Sequence, residues 1–78
     1  MTNTSETSPL GSITVSVNGE QRLIPLGATL ADLVAEMNLQ GKRIAIERNL
    51  EIIPKAEHGT TNLQANDVVE IVHAIGGG

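Results

Sequence analysis

Residues 12–37 read SITVSVNGEQRLIPLGATLADLVAEM, and the change of period inside this stretch decides the fold. Ile13, Val15 and Val17 alternate with Thr14, Ser16 and Asn18, the two-residue period of a strand with one buried face. Asn18-Gly19 follows at once. Both residues tolerate positive φ, which predicts a two-residue type I′ hairpin turn. The return strand runs from Glu20 to about Leu26, and Pro25, with no N–H to donate, places it at a sheet edge or ends it. Gly27 then breaks the pattern. Thr29 suits a helix N-cap, with Asp32 three residues on to favour the positive helix end. Leu30, Leu33, Val34 and Met37 form one apolar stripe of a helix. Asn38 to Gly41 supplies the stop, with Gly41 suited to a left-handed cap. A helix of about ten residues is marginal alone and must lean on a sheet.

Further along, Ile44 to Glu47 reads as a third strand, Asn49 as a turn, and Glu51 to Ile53 as a short fourth strand ended by Pro54. Lys55 to Asn62 is polar, a loop with room for one helical turn, and Leu63 is its clear core anchor. Asn66-Asp67 signals another turn, and Val68 to Ile75 is the longest strand. The order is ββαβββ. One helix across one face of a small mixed sheet is an α+β arrangement. Residues Met1 to Gly11 are polar and predict a mobile tail. The folded domain is expected over 12–75, followed by a flexible tail at 76–78.

Composition excludes several classes of function. Seventy-eight residues allow one domain with a modest core. Trp, Tyr and Phe are absent, so no aromatic platform exists for stacking bases, and the net charge of −4 argues against nucleic-acid binding. No Cys means no thiolate nucleophile and no Cys-type zinc site. The apolar runs fall far short of the roughly 20 residues of a membrane helix, and no secretory signal is legible, so a cytoplasmic location is expected. His58 and His73 read as surface or turn histidines, not as metal ligands. Glu47 and Glu51 read as exposed strand carboxylates without a catalytic role. Lys42, Arg43, Arg48 and Lys55 read as a scattered, solvated surface.

On the last strand, Val69, Ile71, His73 and Ile75 point one way, and Val68, Glu70, Val72 and Ala74 the other. One helix covers one face. Val69 and Ile71 are expected under the helix, leaving Val72 and its neighbours on an open face as a candidate partner surface. The plain alternative is ordinary sheet surface. Gly76, Gly77 and Gly78 carry the most information. Three glycines at a free carboxyl end are not needed to fold anything and cost entropy if ordered. Such a strip can thread a narrow channel and deliver the Gly78 carboxylate to a buried site. A free carboxylate is a poor electrophile and must first be activated. The chain has no phosphate-binding Gly-rich loop with Lys, so activation must come from a separate enzyme. The residues support a carrier, not an enzyme.

Asn18-Gly19, the Thr29-Leu30-x-x-Leu33 helix start, the segment Ile44–Pro54, Asn66-Asp67, Glu70-Ile71 and the ending Ile75-Gly76-Gly77-Gly78 together resemble the ThiS family of sulfur carriers in thiamine thiazole biosynthesis. The resemblance covers about Ser12 to Gly78 and implies a β-grasp, ubiquitin-like fold. It implies that a ThiF-type enzyme adenylates the Gly78 carboxylate with ATP and magnesium. A sulfur donor system then converts it to a thiocarboxylate. The tail finally inserts into thiazole synthase (ThiG). No cofactor would be bound by the chain itself. The family's terminal Gly-Gly maps onto Gly77 and Gly78; Gly76 stands where another small residue is tolerated, and Ile75 would be the last docked side chain, beside Val72 and Ala74. Asn66 departs from the family's frequent Gly at that turn, though Asn also accepts left-handed φ. The tail chemistry is shared with the MoaD-like small subunit of molybdopterin synthase and with ubiquitin-like protein modifiers, and the glycines do not separate these. A plain interaction module is a further alternative.

Overall fold

The computed structural model describes residues 11–74. The expected N-terminal tail, apart from Gly11, and Ile75, Gly76, Gly77 and Gly78 lie outside them.

Strands β1 (Ser12–Val17) and β2 (Glu20–Pro25) pair antiparallel from Ser12↔Pro25 to Val17↔Glu20. Asn18 at φ 51° and Gly19 at φ 85° form the connecting turn, the two positive φ values that type I′ requires. The pairing reaches back to Gly11, whose carbonyl accepts the Leu26 N–H at 3.0 Å. Helix α1 (Leu30–Glu36) starts with a reciprocal capping box. The Asp32 N–H donates to Thr29 Oγ1 at 3.1 Å, and the Thr29 N–H donates to Asp32 Oδ2 at 2.9 Å.

The helix ends earlier than its apolar stripe predicts. Asn38 takes the left-handed conformation at φ 60°, the Asn38 N–H donates to Ala35 O at 3.1 Å, and the Leu39 N–H donates to Val34 O at 2.9 Å. This is a Schellman closure, with half-buried Leu39 packed on the core behind it. Asn38, not Gly41, is therefore the left-handed residue that closes the helix, one position past the C-cap Met37, and α1 has 7 residues.

Strands β3 (Ile44–Arg48) and β4 (Glu51–Ile53) form a second hairpin around Asn49 and Leu50. A 3-10 turn (Lys55–Glu57) opens the long connection to β5 (Val68–His73). The sheet order is β2-β1-β5-β3-β4, with β5 parallel to β1 and antiparallel to β3. The β-grasp arrangement expected from the sequence is present: a five-stranded mixed sheet with one helix. Pro25 lies on an edge strand, where its missing N–H costs no ladder bond.

The core joins Val15, Val17, Ile24, Ile46, Val69 and Ile71 from the sheet with Leu30 and Leu33 from the helix. Leu63 is 1% exposed and completes it, as its position in a polar loop predicted. Fully burying such a side chain contributes about 1.5–3 kcal/mol. Backbone bonds pin the connection to the helix start: the Leu30 N–H donates to Thr61 O (3.1 Å), the Ala31 N–H to His58 O (2.9 Å) and the Leu63 N–H to Ala28 O (2.8 Å).

Two side chains depart from the surface reading. His58 is buried, and its Nε2–H donates to the Ile53 carbonyl at 3.0 Å, linking the 3-10 turn to β4. Arg48 is half-buried and donates from Nη1 to Asp67 Oδ2 (3.4 Å) and Asn62 O (3.3 Å).

Candidate functional site

Everything that positions the candidate site concerns where β5 begins and stops. It starts beside the end of β1, with Ser16↔Val68 and Val17↔Val69 as its parallel pairs, and then runs past it. Beyond that point the Asn18 side chain substitutes for a strand. The Ile71 N–H donates to Asn18 Oδ1 at 2.8 Å, and Asn18 Nδ2 donates to Ile71 O at 3.2 Å. The Asn18 amide therefore reproduces one peptide unit of a ladder. On the other side β3 pairs with β5 from Arg48↔Val69 to Ile44↔His73, and the Ala74 N–H still donates to Arg43 O at 2.8 Å. The chain is thus held on one side up to Ala74.

The start of β5 is fixed by a polar knot that sequence reasoning missed. Asp67, 6% exposed, accepts from the Gln64 N–H (2.8 Å), Asn49 Nδ2 (3.0 Å) and Arg48. Asn49 Oδ1 accepts the Val68 N–H at 2.9 Å, and the Asn49 N–H donates to Val68 O at 2.8 Å. Two turns far apart in sequence are tied together by this knot, which sets the register of β5. The turn residues Asn49 and Asp67 were legible singly; nothing in their spacing says that they meet.

Val69 and Ile71 face the helix and are buried. Val68, Glu70 and Val72 lie on the opposite face, with Ala45 and Glu47 of β3 and Ile52 of β4 beside them. Val68, Val72 and Ile52 are 47%, 55% and 63% exposed, so this face is open and apolar. Glu47 and Glu70 are direct cross-strand partners there. Like charges so placed repel modestly, so the pair does nothing for the fold. Of the expected tail and partner residues, Val72 and Ala74 are exposed near the end of the strand; Ile75, Gly76, Gly77 and Gly78 lie outside the described residues. Among the described residues no group of His, Asp and Glu could hold a metal ion, and no helix is long and apolar enough to cross a membrane.

The ThiS family model matches residues 15–78. A thiazole synthase of Paramagnetospirillum magneticum is 39% identical over 62 residues, 80% of this chain and 19% of that protein. Sulfur carrier protein ThiS of Bacillus subtilis is 46% identical over 50 residues, 64% of this chain and 76% of that one. The chain spans about one fifth of the length of the thiazole synthases it matches. A crystal structure of thiamine biosynthesis protein ThiS from Geobacter metallireducens superposes with a TM-score of 0.74 at 22% identity, covering 85% of this chain and 100% of that one, which speaks for the fold. The family match runs through the last strand to residue 78 and the fold agrees with it: the chain belongs to the ThiS family.

Proposed function

We propose that this chain is a sulfur carrier for the thiazole moiety of thiamine and that its working group is the carboxylate of Gly78. The observation that supports this most is the match of the ThiS family model through the terminal glycines, joined to a strand whose end projects beyond its β1 partner. Four residues beyond Ala74 can extend roughly 13 Å, enough to enter a partner's channel without a bulky side chain after Ile75. In this reading a ThiF-type enzyme uses ATP and magnesium to form a Gly78 acyl-adenylate, releasing pyrophosphate. Sulfide-level sulfur from a donor system then attacks the acyl carbon, AMP leaves, and a thiocarboxylate remains. Thiazole synthase passes the sulfur to its substrate, the C–S bond to Gly78 breaks, and the acyl carbon takes an oxygen, from water in the net balance, to regenerate the carboxylate. The chain supplies no catalytic group; it acts as a co-substrate in the cytoplasm. The open face carrying Val72, Ile52 and Val68 docks the partners. Its paired Glu47 and Glu70 suit a partner that offers a cation among apolar groups.

The test is the intact mass after incubation with the cognate activating enzyme, ATP, magnesium and a sulfur donor. Replacing oxygen by sulfur adds about 16 Da, and deletion of Gly78 should abolish the gain. No gain with a competent enzyme, or a gain that survives the deletion, overturns the proposal.

A further inference from the structure

The scattered cations of the sequence come together in the fold. Lys42, Arg43 and Lys55, three of the chain's five Lys and Arg residues, line one cleft of ≈ 280 Å³ together with Val34, Leu39, Ile44 and His58. Ala74 lines the same cleft, so it opens where the chain leaves the sheet. A second cleft of ≈ 300 Å³ adjoins it and shares Lys55 and His58. No residue lining either cleft is acidic, on a chain whose net charge is −4. Lys42 and Lys55 are exposed, and among the described residues neither ammonium makes a hydrogen bond or ion pair.

We propose that this cationic cleft at the root of the tail receives carboxylates from the rim of the tail-accepting site of thiazole synthase. The inference rests on the reading that the tail enters that enzyme. A channel that takes in the residues after Ala74 must bring its rim against the surface around Ala74, and that surface is the cleft. Lys42 and Lys55 favour Asp or Glu there. Because both lie outside the core, their contribution is to steering and register: attraction between opposite potentials speeds encounter and falls with ionic strength. Val34, Leu39 and Ile44 in the lining give the arriving segment an apolar surface to cover, so the contact is partly desolvated.

The experiment compares binding of the full-length chain to the cognate thiazole synthase across a salt series. The double variant Lys42→Ala/Lys55→Ala is set against Gln21→Glu/Ala65→Glu, which changes net charge equally at exposed positions outside both clefts. The expected result is a dissociation constant about tenfold higher for the lysine variant at low salt, a flatter salt dependence, and near-wild-type binding by the control. Unchanged circular dichroism and melting temperature in both variants would show that folding is intact. Equal weakening of the two variants, or binding by the lysine variant within twofold of wild type, overturns the proposal. Tighter binding by the lysine variant also overturns it, and would point to the chain's own carboxylate as the cleft's occupant. Wild-type chain that does not bind the synthase at all defeats the underlying functional reading instead.

Discussion

Leu50 stands at φ 72° with 92% of its surface exposed. A branched L-residue in the left-handed region costs roughly 1–2 kcal/mol relative to the right-handed one, and glycine is free of that cost. Nothing in the fold recovers it, since the side chain reaches solvent. Leu50→Gly should therefore raise stability by roughly 0.5–1 kcal/mol, the denatured-state entropy of glycine offsetting part of the gain. Urea denaturation followed by circular dichroism checks this; a midpoint that falls would show that Leu50 is supported by contacts. Asn49 beside it is also at positive φ, but its amide bonds both Asp67 and Val68. The sequence announced a turn at Asn49 and gave no sign that Leu50 would share its backbone conformation.

At the level of elements, the sensitive pairing is that of β5. Its parallel partner β1 supplies only two residue pairs, and the Asn18 amide then takes over at Ile71. Asn18→Gly keeps the positive φ open to the backbone and removes both side-chain bonds. The expected outcome is a loss of about 1–2 kcal/mol, one buried donor being left to find another partner, with markedly faster hydrogen exchange at the Ile71 amide. Exchange at Ile71 that is unchanged relative to Val69 would show that the ladder, not Asn18, protects it. Helix α1 teaches a related lesson. Its start was legible because Thr29 and Asp32 form a local motif that needs only four residues. Its end was not, because Asn38 and Gly41 are both suited to the left-handed cap, and burial of Leu39 decided for Asn38.

At the scale of the whole molecule, two of the described surfaces carry opposite charge. The open sheet face carries Glu47 and Glu70 among apolar side chains, and the tail root carries Lys42, Arg43 and Lys55. Under the proposed function, a carrier that visits an activating enzyme and then an acceptor gains from two such distinct surfaces. Val72→Lys tests the first surface. Because Val72 is 55% exposed, stability should shift by less than about 1 kcal/mol. Conversion to the thiocarboxylate should fall at least about tenfold if the side chain sits near the centre of the docked face. Wild-type conversion by a folded Val72→Lys chain would remove Val72 from the proposed interface.

By itself the sequence determined the hairpin, the helix start, the strand order along the chain and the inward face of β5. These depend on period and on φ tolerance, both of which are local. Only the tertiary structure decided that His58 is buried on Ile53, that Arg48 and Asn49 meet Asp67, and that Lys42, Arg43 and Lys55 converge beside Ala74. Each of these is a meeting of residues from different elements. A polar side chain in a turn looks the same in sequence whether it faces water or a neighbour, because its partner is set by how the strands stack and not by anything within reach along the chain.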